Sequence, residues 1–444
     1  MLYTKQIPRD DQFDVIVAGG GPSGCAAAAA AAAASNGAKT LLIEASGALG
    51  GMGTIGLVPA WCPYSDGENV IYQGIAQTVM ERVKAHMPHI KAEHVDWVPI
   101  DPEVLKRVYD DLVSDAGVKV LFNTQLCDVQ FADGRVDSVI VANKAGLTAY
   151  RAKVFIDCTG DADIAAFCGL PYDKGAGETG DVQPATHCFT LTNVDEYAYQ
   201  TGTRLHGSEK DCPIYDIVRS EKYPMVVDGH SCNERIGPGV VGFNAGHLWN
   251  VDSTDPFSMS AALMAGRKLA DELHRGLAEF YPSAFAASHL TMTASAMGTR
   301  ESRRIVGEYT LTFADYQARR TFPDEIGRNC YYIDVHHSPA QRDAFLRGEI
   351  GYEEEASSYG PGESHGIPYR CLVPKGCGNL LVAGRTISCD RTVQGSVRVM
   401  PPCLVTGQAA GTAAAMIAAN GGTTMTLDTD ALRAKLRADG AYFL

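Results

Sequence analysis

A glycine-rich turn between a short apolar strand and a helix constrains the fold of this chain more than any other feature. Residues 14–24 read DVIVAGGGPSG, and the apolar run predicts a buried parallel strand. Gly19, Gly21 and Gly24 have the spacing that allows a tight turn, close approach to a pyrophosphate and close helix packing. Glu44 follows 20 residues after Gly24, where a carboxylate accepts ribose hydroxyls. The segment therefore predicts a dinucleotide-binding unit, with the start of the helix facing the phosphates.

The same glycine spacing recurs at residues 51–56, 175–180 and 237–242, as expected by chance in a chain with 46 glycines. Only the first occurrence follows an apolar strand, opens a helix and precedes an acidic residue at the right distance. We interpret residues 175–180 as a loop and residues 237–242 as a turn that enters a strand. The alanine run at residues 26–34 predicts a helix that lies close to the sheet, because alanine combines high helix propensity with a small side chain.

Composition narrows the class of protein. A chain of 444 residues with 45% apolar and 20% charged residues is typical of a soluble protein of two or three domains. The net charge of −14 argues against a nucleic-acid partner. Thirteen cysteines without a C-x-x-C pair or a zinc-like spacing indicate reduced thiols and no metal site. A polar segment at residues 1–13 and no apolar stretch of membrane length predict a cytoplasmic protein with no membrane partner.

The two ends of the chain share an α/β style that the middle lacks. Strands are predicted at residues 118–122, 153–158 and 379–383, a hairpin at 127–142, and helices at 70–87, 101–116 and 402–419. Residues 171–368 are rich in loops, prolines and aromatic residues, with one amphipathic helix at about 258–280. The pattern predicts a discontinuous nucleotide-binding domain with a substrate domain inserted in it.

Several separated segments resemble one family. They are the N-terminal turn, residues 50–52, 156–163, 298–309 and 367–374, and the C-terminal segments 380–385 and 407–411. The sequence is similar to the bacterial FAD-dependent oxidoreductases of the glutathione-reductase-like superfamily, which have an FAD/NAD(P)-binding Rossmann fold. The resemblance implies an α/β fold: a Rossmann-like FAD-binding domain, with a parallel sheet and a β-meander, at residues 1–170 and 369–444. An α+β substrate or cap domain is expected at residues 171–368, and residues 57–100 are expected to line the substrate cleft.

The resemblance implies that the dinucleotide is FAD. Residues 159–161 end a second strand near the pyrophosphate, and residues 384–385 end a third strand in the same crevice. The last long helix is expected to direct its positive end at the flavin. For Arg398, a surface salt bridge is an equal alternative to a cofactor contact. The predicted cofactor-binding residues are Gly19, Gly21, Pro22, Ser23, Gly24, Glu44, Gly50, Gly51, Met52, Cys127, Thr159, Gly160, Asp161, Gly384, Arg385, Arg398 and Cys403.

Disulfide reductases of this superfamily are disfavoured. No two cysteines have the Cys-x4-Cys spacing of their redox pair, and no spare glycine match provides a second nucleotide site. Cys62, just beyond the predicted flavin loop, is either reactive or a buried inert thiol.

Histidines and arginines of the middle segment are the candidates for catalysis. A flavin enzyme often needs a base for the proton of its substrate. His336, His337 and His365 flank a family segment, and residues 334–336 predict a strand with Asp334 and His336 on one face. His187 and His247 are weaker candidates, and a structural role is the alternative for each histidine.

The arginines leave two interpretations open. Arg300, with Arg303 and Arg304, either clamps a carboxylate or hydroxyl-rich substrate or belongs to an ion-pair network between domains. Tyr369 and Arg370 are expected near the flavin at the domain interface. The predicted catalytic residues are therefore His336, Arg370, Tyr369 and Arg300.

These observations favour an FAD-dependent dehydrogenase or oxidase that transfers hydride between the flavin and a small polar substrate, such as a sugar or a hydroxy acid. Three alternatives remain. One is a tRNA-modifying flavoprotein of the same architecture, another is a non-redox dinucleotide-binding protein, and the third is a flavin subunit that only relays electrons. The sequence leaves the electron acceptor and the oligomeric state open.

Overall fold

The computed structural model describes residues 4–34, 37–177, 180–209, 211–336, 347 and 358–444. The strands are β1 (Arg9–Asp10), β2 (Val15–Ala18), β3 (Thr40–Ile43), β4 (Lys119–Leu121), β5 (Gln125–Ala132), β6 (Arg135–Asn143), β7 (Gly146–Arg151), β8 (Val154–Asp157), β9 (Tyr172–Lys174), β10 (Phe189–Thr192), β11 (Ser231–Gly237), β12 (Val240–Ala245), β13 (His289–Thr293), β14 (Arg303–Ile305), β15 (Glu325–Asn329), β16 (His365–Pro368) and β17 (Leu380–Val382). The helices are α1 (Pro22–Ala33), α2 (Ile75–Ala85), α3 (Pro102–Asp115), α4 (Asp163–Phe167), α5 (Glu196–Thr201), α6 (Pro213–Ser220), α7 (Pro256–Phe280), α8 (Pro282–Phe285), α9 (Phe313–Gln317), α10 (Arg391–Val397), α11 (Met400–Asn420) and α12 (Thr429–Ala438).

A five-stranded parallel sheet in the order β17-β8-β2-β3-β4 forms the centre of the molecule. Every residue of β2, β3, β8 and β17 is buried, as expected of a parallel sheet covered on both faces. The apolar runs that predicted these strands are therefore confirmed, because a strand buried on both sides needs apolar residues at successive positions.

Helices α1 and α11 pack against each other beside this sheet, and both consist mainly of small residues. A Cβ atom added to Gly407 would lie 2.2 Å from the carbonyl oxygen of Ser23, and one added to Gly411 would lie 2.0 Å from that of Ala27. The two helices thus meet at backbone contact distance. The predicted alanine-rich helix is confirmed, and its composition is explained by this close crossing.

A separate meander lies beside the parallel sheet. Strands β5, β6 and β7 pair antiparallel, and the short β1 adds to β7. The turn between β5 and β6 has positive φ at both Asp133 (52°) and Gly134 (68°), the geometry of a type I′ hairpin turn. The predicted hairpin is confirmed, and with it the α/β class with a parallel sheet and a β-meander.

A second antiparallel sheet, in the order β11-β12-β10-β13, has a hydrophobic core of its own with α6 and α7. Phe189 and Phe243 stack in this core with ring centroids 4.9 Å apart. Residues 237–242 form the turn into β12, as predicted. The opposite face turns toward the N-terminal part of the chain, since a Cβ atom at Gly242 would lie 2.7 Å from Cβ of Pro59.

The domain boundaries remain a prediction. The core beside α1 also contains Leu311, Tyr316, Ile326 and Ile367, which lie in the range 171–368 expected for the cap. Residues from both predicted domains therefore share one hydrophobic core.

The strand predicted at residues 334–336 is wrong, since residues 331–336 have no regular secondary structure. Side chains, rather than a neighbouring strand, bind this backbone. Arg398 donates to the carbonyl of Asp334 at 2.8 Å, and Ser396 donates to that of Tyr331. The side-chain Oε1 of Gln183 accepts from the amide of His336 at 3.3 Å. His337 lies outside the described residues.

Among the helices of the described residues, α11 is the one with the length and apolar composition of a membrane span, and 83% of its most apolar window is buried inside the protein. Because it packs along α1 beside the sheet, it is the core helix of the fold.

Candidate functional site

The glycine turn after β2 is built from residues that a side chain would disrupt. A Cβ atom at Gly24 would lie 1.8 Å from the carbonyl oxygen of Gly19, and one at Gly19 would lie 2.3 Å from that of Cys158. Gly19 also has a φ of 93°, which glycine adopts without strain. By contrast, a Cβ atom at Gly21 would have no protein atom within 4 Å. The turn is thus packed on the protein side and open on the other.

The open side fits the pyrophosphate of FAD. Gly21 caps α1 without a side-chain hydrogen bond, and the first turn of this helix contains no acidic residue. Its amide groups and the positive end of its dipole are therefore left for an anion. Glu44 lies at the edge of the turn, where its carboxylate accepts from the amides of Gly20 (2.6 Å) and Ser46 (2.7 Å). Each carboxylate oxygen keeps a lone pair for a ribose hydroxyl.

Most of the other predicted cofactor residues are contiguous with this turn. The amide of Gly50 donates to the carbonyl of Gly20 at 2.8 Å, and a Cβ atom at Gly51 would lie 3.0 Å from Cα of Gly21. Gly384 lies against Ser23 and Cys403, whose Oγ and Sγ atoms would be 2.7 and 3.9 Å from an added Cβ atom.

Arg385 joins the ends of two strands of the parallel sheet. Its guanidinium donates to the carbonyls of Gly160 (2.5 Å) and Thr299 (3.0 Å) and to the Asp161 carboxylate (3.1 Å). Although burial alone would raise it, Arg385 holds the pKa of Asp161 below its ordinary value. Thr159 lies in the same turn and donates to Asp157 at 2.8 Å. Cys127 stands apart on β5 with an exposed side chain, whose thiol donates to the carbonyl of Gln125 at 3.4 Å, and its contact with the cofactor stays a prediction.

A cavity of about 1120 Å³ lies between the predicted cofactor-binding residues, here called the flavin side, and the second antiparallel sheet. Met52, Arg385 and Arg398 line one side of it, and Cys232, Glu234 and Asn244 on β11 and β12 line the other. Cys62, Trp97 and Ala60 contribute from the range 57–100 that was expected to line the substrate cleft. The cavity is therefore bounded by predicted cofactor residues and by the second sheet.

Three histidines on the wall of this cavity are connected with two aspartates, of which Asp334 also lines the cavity. Nδ1 of His247 lies 2.9 Å from Oδ2 of Asp228, and Nε2 of His247 lies 2.9 Å from Nδ1 of His336. Nε2 of His336 in turn lies 3.3 Å from Oδ1 of Asp334. His230 stacks on His247 with ring centroids 4.2 Å apart.

The Asp228 end of this chain favours one order of donors and acceptors in the two neutral rings, His247 and His336. Because ionised Asp228 only accepts, His247 carries its proton on Nδ1 and accepts on Nε2. In that order His336 donates from Nδ1 and its Nε2 is unprotonated. The Asp334 carboxylate, 3.3 Å from this Nε2, favours the opposite order, with a proton on Nε2. With the Asp228 order, Nε2 of His336 has a free lone pair, as in a hydrolase triad whose histidine is oriented by a buried aspartate.

Burial and neighbouring charges keep the histidines neutral. Burial first, and then the positive charge of Arg300, lower the pKa of His336 to about 3. The pKa values of His230 and His247 are also lowered, chiefly by burial. Although burial opposes it, His336 and Arg398 hold the pKa of Asp334 below its ordinary value. The cluster therefore contains ionised carboxylates and neutral rings at neutral pH.

The Arg398 guanidinium forms a salt bridge to Asp334 at 3.2 Å. This contact matches the salt-bridge alternative, but Arg398 is largely buried on the cavity wall rather than at the surface. Its contact with the cofactor stays a prediction.

Tyr369, Arg370 and His365 lie elsewhere. Tyr369 donates to the carbonyl of Thr424 at 2.9 Å, and Arg370 pairs with Asp324 at 2.9 Å. The His365 ring lies 2.9 Å from the Tyr359 hydroxyl. None of the three is among the described residues that line the cavity, so their catalytic roles stay predictions without geometric support.

Three cysteines line the cavity. Burial raises the pKa of Cys188 and of Cys232 to about 12 and raises that of Cys62 further. All three are thiols at neutral pH, which matches the inert alternative for Cys62.

The histidine cluster is also a candidate for a metal ion. His230, His247 and His336 have ring nitrogens within 4.8 Å of one another. Two features oppose this interpretation. The rings of His230 and His247 are only 26° from parallel, so their in-plane lone pairs do not converge, and the Arg300 guanidinium lies 3.2 Å from Nε2 of His230. We therefore interpret the cluster as one that holds and moves a proton.

This interpretation makes a testable prediction about metals. Dialysis of the purified protein against a strong chelator is expected to leave its rate of flavin reduction unchanged. The reason is that nitrogens of all three histidine rings are engaged in hydrogen bonds and do not hold a metal ion. Elemental analysis before dialysis measures the metal content. A stoichiometric transition metal that is lost with activity, and restores it when added back, would contradict the interpretation.

Sequence reasoning missed Asp228 and His230 and ranked His247 low. These residues precede or follow strands β11 and β12, far along the chain from His336. Their separations carry no metal-site or triad spacing, and only the pairing of β11 with β12 brings them together.

Three comparisons relate this chain to known proteins. A search of curated proteins returns no match. Among solved structures, a geranylgeranyl bacteriochlorophyll reductase-like protein from Thermoplasma acidophilum is similar, with 14% identity, a TM-score of 0.47, and coverage of 97% of this chain and 83% of that one. The flavin-dependent brominase Bmp2 has 12% identity, a TM-score of 0.45 and coverage of 97% and 83%. CabE, an aromatic hydroxylase from angucycline biosynthesis, has 11% identity, a TM-score of 0.44 and coverage of 96% and 68%.

The sequence itself matches one family, described as FAD dependent oxidoreductase, over residues 14–436. The match includes the glycine turn, the residues around Arg385 and both sides of the cavity. The protein is thus an enzyme that uses FAD, and it belongs to the FAD dependent oxidoreductase family.

Proposed function

We propose that this enzyme oxidises a small polar substrate, such as a sugar or a hydroxy acid, in the cavity between the flavin side and the second sheet. We also infer that it belongs to the glutathione-reductase-like superfamily. The observation that carries the proposal is the chain from Asp228 through His247 to His336 on the wall of that cavity. It supplies an oriented base beside the predicted cofactor residues.

FAD, when bound, supplies the acceptor for a hydride from the substrate. The protein handles the proton. Nε2 of His336 accepts it from the substrate hydroxyl, and the carboxylate of Asp334, 3.3 Å away, stabilises the imidazolium that results. His247 keeps the ring in the required tautomer throughout.

Two polar residues in the otherwise mixed wall of the cavity support a polar substrate. Glu234 and Asn244 lie on adjacent strands of the second sheet and face the cavity. Burial raises the pKa of Glu234 to about 7, so its carboxyl group is partly protonated at neutral pH and both donates and accepts hydrogen bonds. Neighbouring donors and acceptors of this kind suit hydroxyl groups better than an apolar substrate.

The proposal is tested by anaerobic screening of the holoenzyme against sugars, polyols and hydroxy acids. At least one compound is expected to bleach the flavin absorbance rapidly, and readmission of an electron acceptor should restore it. If no polar compound reduces the flavin while an apolar or aromatic substrate does, the proposal is wrong.

We further propose a cytoplasmic enzyme with a small-molecule substrate and no nucleic-acid or membrane partner. The net charge of −14 supports the exclusion of nucleic acid. Binding of tRNA at low salt would contradict it.

A further inference from the structure

Arg300 is a buried cation without a carboxylate partner. Its residue is 6% exposed and lines the cavity. Nη1 donates to the carbonyl of Pro184 and to Oγ1 of Thr186, both at 2.8 Å, and Nη2 lies 3.2 Å from Nε2 of His230. All three partners are neutral. Among the described residues, no carboxylate oxygen lies within ion-pair distance of Arg300.

The neighbouring arginines are different. Arg303 pairs with Asp163 at 2.9 Å and Arg304 with Glu301 at 2.7 Å. On the cavity wall, Arg398 pairs with Asp334 and Arg385 with Asp161. Each of these charges is compensated inside the protein, as buried charges usually are. Arg300 is the exception, because no carboxylate in the described part of the chain contacts it and the charges of Asp334 and Asp228 act on it from a longer distance. Its place on the cavity wall makes a ligand the candidate for the missing direct contact.

We propose that Arg300 binds a carboxylate of the substrate, so that the enzyme acts on a hydroxy acid rather than on a neutral sugar or polyol. This inference rests on the proposed oxidation in the same cavity. The guanidinium has five N–H groups, of which Pro184, Thr186 and His230 occupy three. Two remain, which is enough for both oxygens of one carboxylate.

The charge of the site favours a carboxylate over a phosphate. One guanidinium without a direct carboxylate contact suits the single negative charge of a carboxylate, whereas a phosphate ester carries close to two charges and three strong acceptor oxygens. The other arginines that line the cavity have acidic partners: Arg385 pairs with Asp161, Arg398 with Asp334, and the exposed Arg204 lies 4.0 Å from Glu209.

A bound carboxylate would also strengthen the base. His336 is faced by Asp334, His247, His230 and Arg300, with Asp228 and Arg398 behind them. After burial, Arg300 is the largest cause of the low pKa of His336. A carboxylate paired with Arg300 offsets that repulsion, so that His336 accepts a proton more readily when the substrate is present.

The test compares ligands that differ only in charge. Binding of short 2-hydroxy acids, of the matching carboxylates without the hydroxyl, and of their amides is measured with the holoenzyme through perturbation of the flavin spectrum and the melting temperature. The carboxylates are expected to bind about 10- to 100-fold more tightly than the amides, as typical for a hydrogen-bonded charge. Arg300→Gln should remove most of this difference.

Arg235→Gln is the matched control. Arg235 lies on β11, pairs with Glu196 at 2.9 Å and does not line the cavity. It should keep the full preference for carboxylates. Equal binding of carboxylates and amides to the wild-type holoenzyme, no saturable carboxylate binding, or tighter binding of phosphate esters would each overturn the proposal, even if Arg300→Gln does not fold. Carboxylate binding without flavin reduction by any hydroxy acid would instead contradict only the proposed oxidation.

Discussion

Replacement of His336 by asparagine is expected to slow flavin reduction by about 10²- to 10⁴-fold, the usual contribution of a general base. FAD should stay bound, because His336 lies on the cavity wall and not at the glycine turn. Anaerobic stopped-flow measurement of flavin absorbance gives the rate, and the flavin-to-protein absorbance ratio of the purified variant gives the cofactor content. Since its low pKa keeps His336 unprotonated, the wild-type rate should not fall between pH 8 and about pH 5.

His274→Asn provides the control, since this histidine contacts the carbonyl of Ser288 at 3.0 Å and lies on α7 away from the cluster. Its rate should match that of the wild type. Asp228→Asn should give an intermediate loss, because an amide can turn an N–H toward Nδ1 of His247 and disturb the tautomers. A normal rate in His336→Asn would show that the histidine chain is structural.

Substitution of Gly24 by alanine is expected to prevent accumulation of folded, FAD-loaded protein. The new methyl group would lie 1.8 Å from the carbonyl oxygen of Gly19 and 3.3 Å from Cβ of Cys158. Neither the backbone of the turn nor the start of α1 can move without opening the phosphate site. The cost is expected at or above the usual upper range for overpacking, about 3 kcal/mol. Soluble yield, melting temperature and flavin content measure the effect.

Gly47→Ala is the matched control in the nearby loop after β3. Its added Cβ atom would meet only the Asn123 side chain at 3.8 Å, and its φ is not in the left-handed region. A change of at most about 0.5 kcal/mol in the free energy of unfolding is expected. A Gly24→Ala protein with normal yield, stability and flavin content would show that the turn is less constrained than its contacts indicate.

The nucleotide-binding part of the fold could be predicted from sequence because its signals are local. Val15 to Ala18 are buried on both faces, so every position of the strand had to be apolar. Gly24 had to be glycine because a backbone oxygen occupies the space of its side chain. The match to the FAD dependent oxidoreductase family confirms the cofactor that these residues implied.

The reacting side of the cavity was less predictable because its residues meet only in the folded protein. His336 was found, but through an incorrect strand, since side chains rather than a sheet hold its backbone. Asp228 and His247 come into contact because β11 pairs with β12. Arg300 stands out from Arg303 and Arg304 only when the partners of all three are known.

The protonated thiols of Cys188 and Cys232 affect the resistance of the cavity wall to oxidation. With a pKa of about 12, only about one in 10⁵ of these groups is a thiolate at pH 7. Oxidants attack the thiolate form, so peroxide released into the cavity would react slowly with its walls. Burial of these two cysteines thereby also protects the cavity wall from oxidative damage.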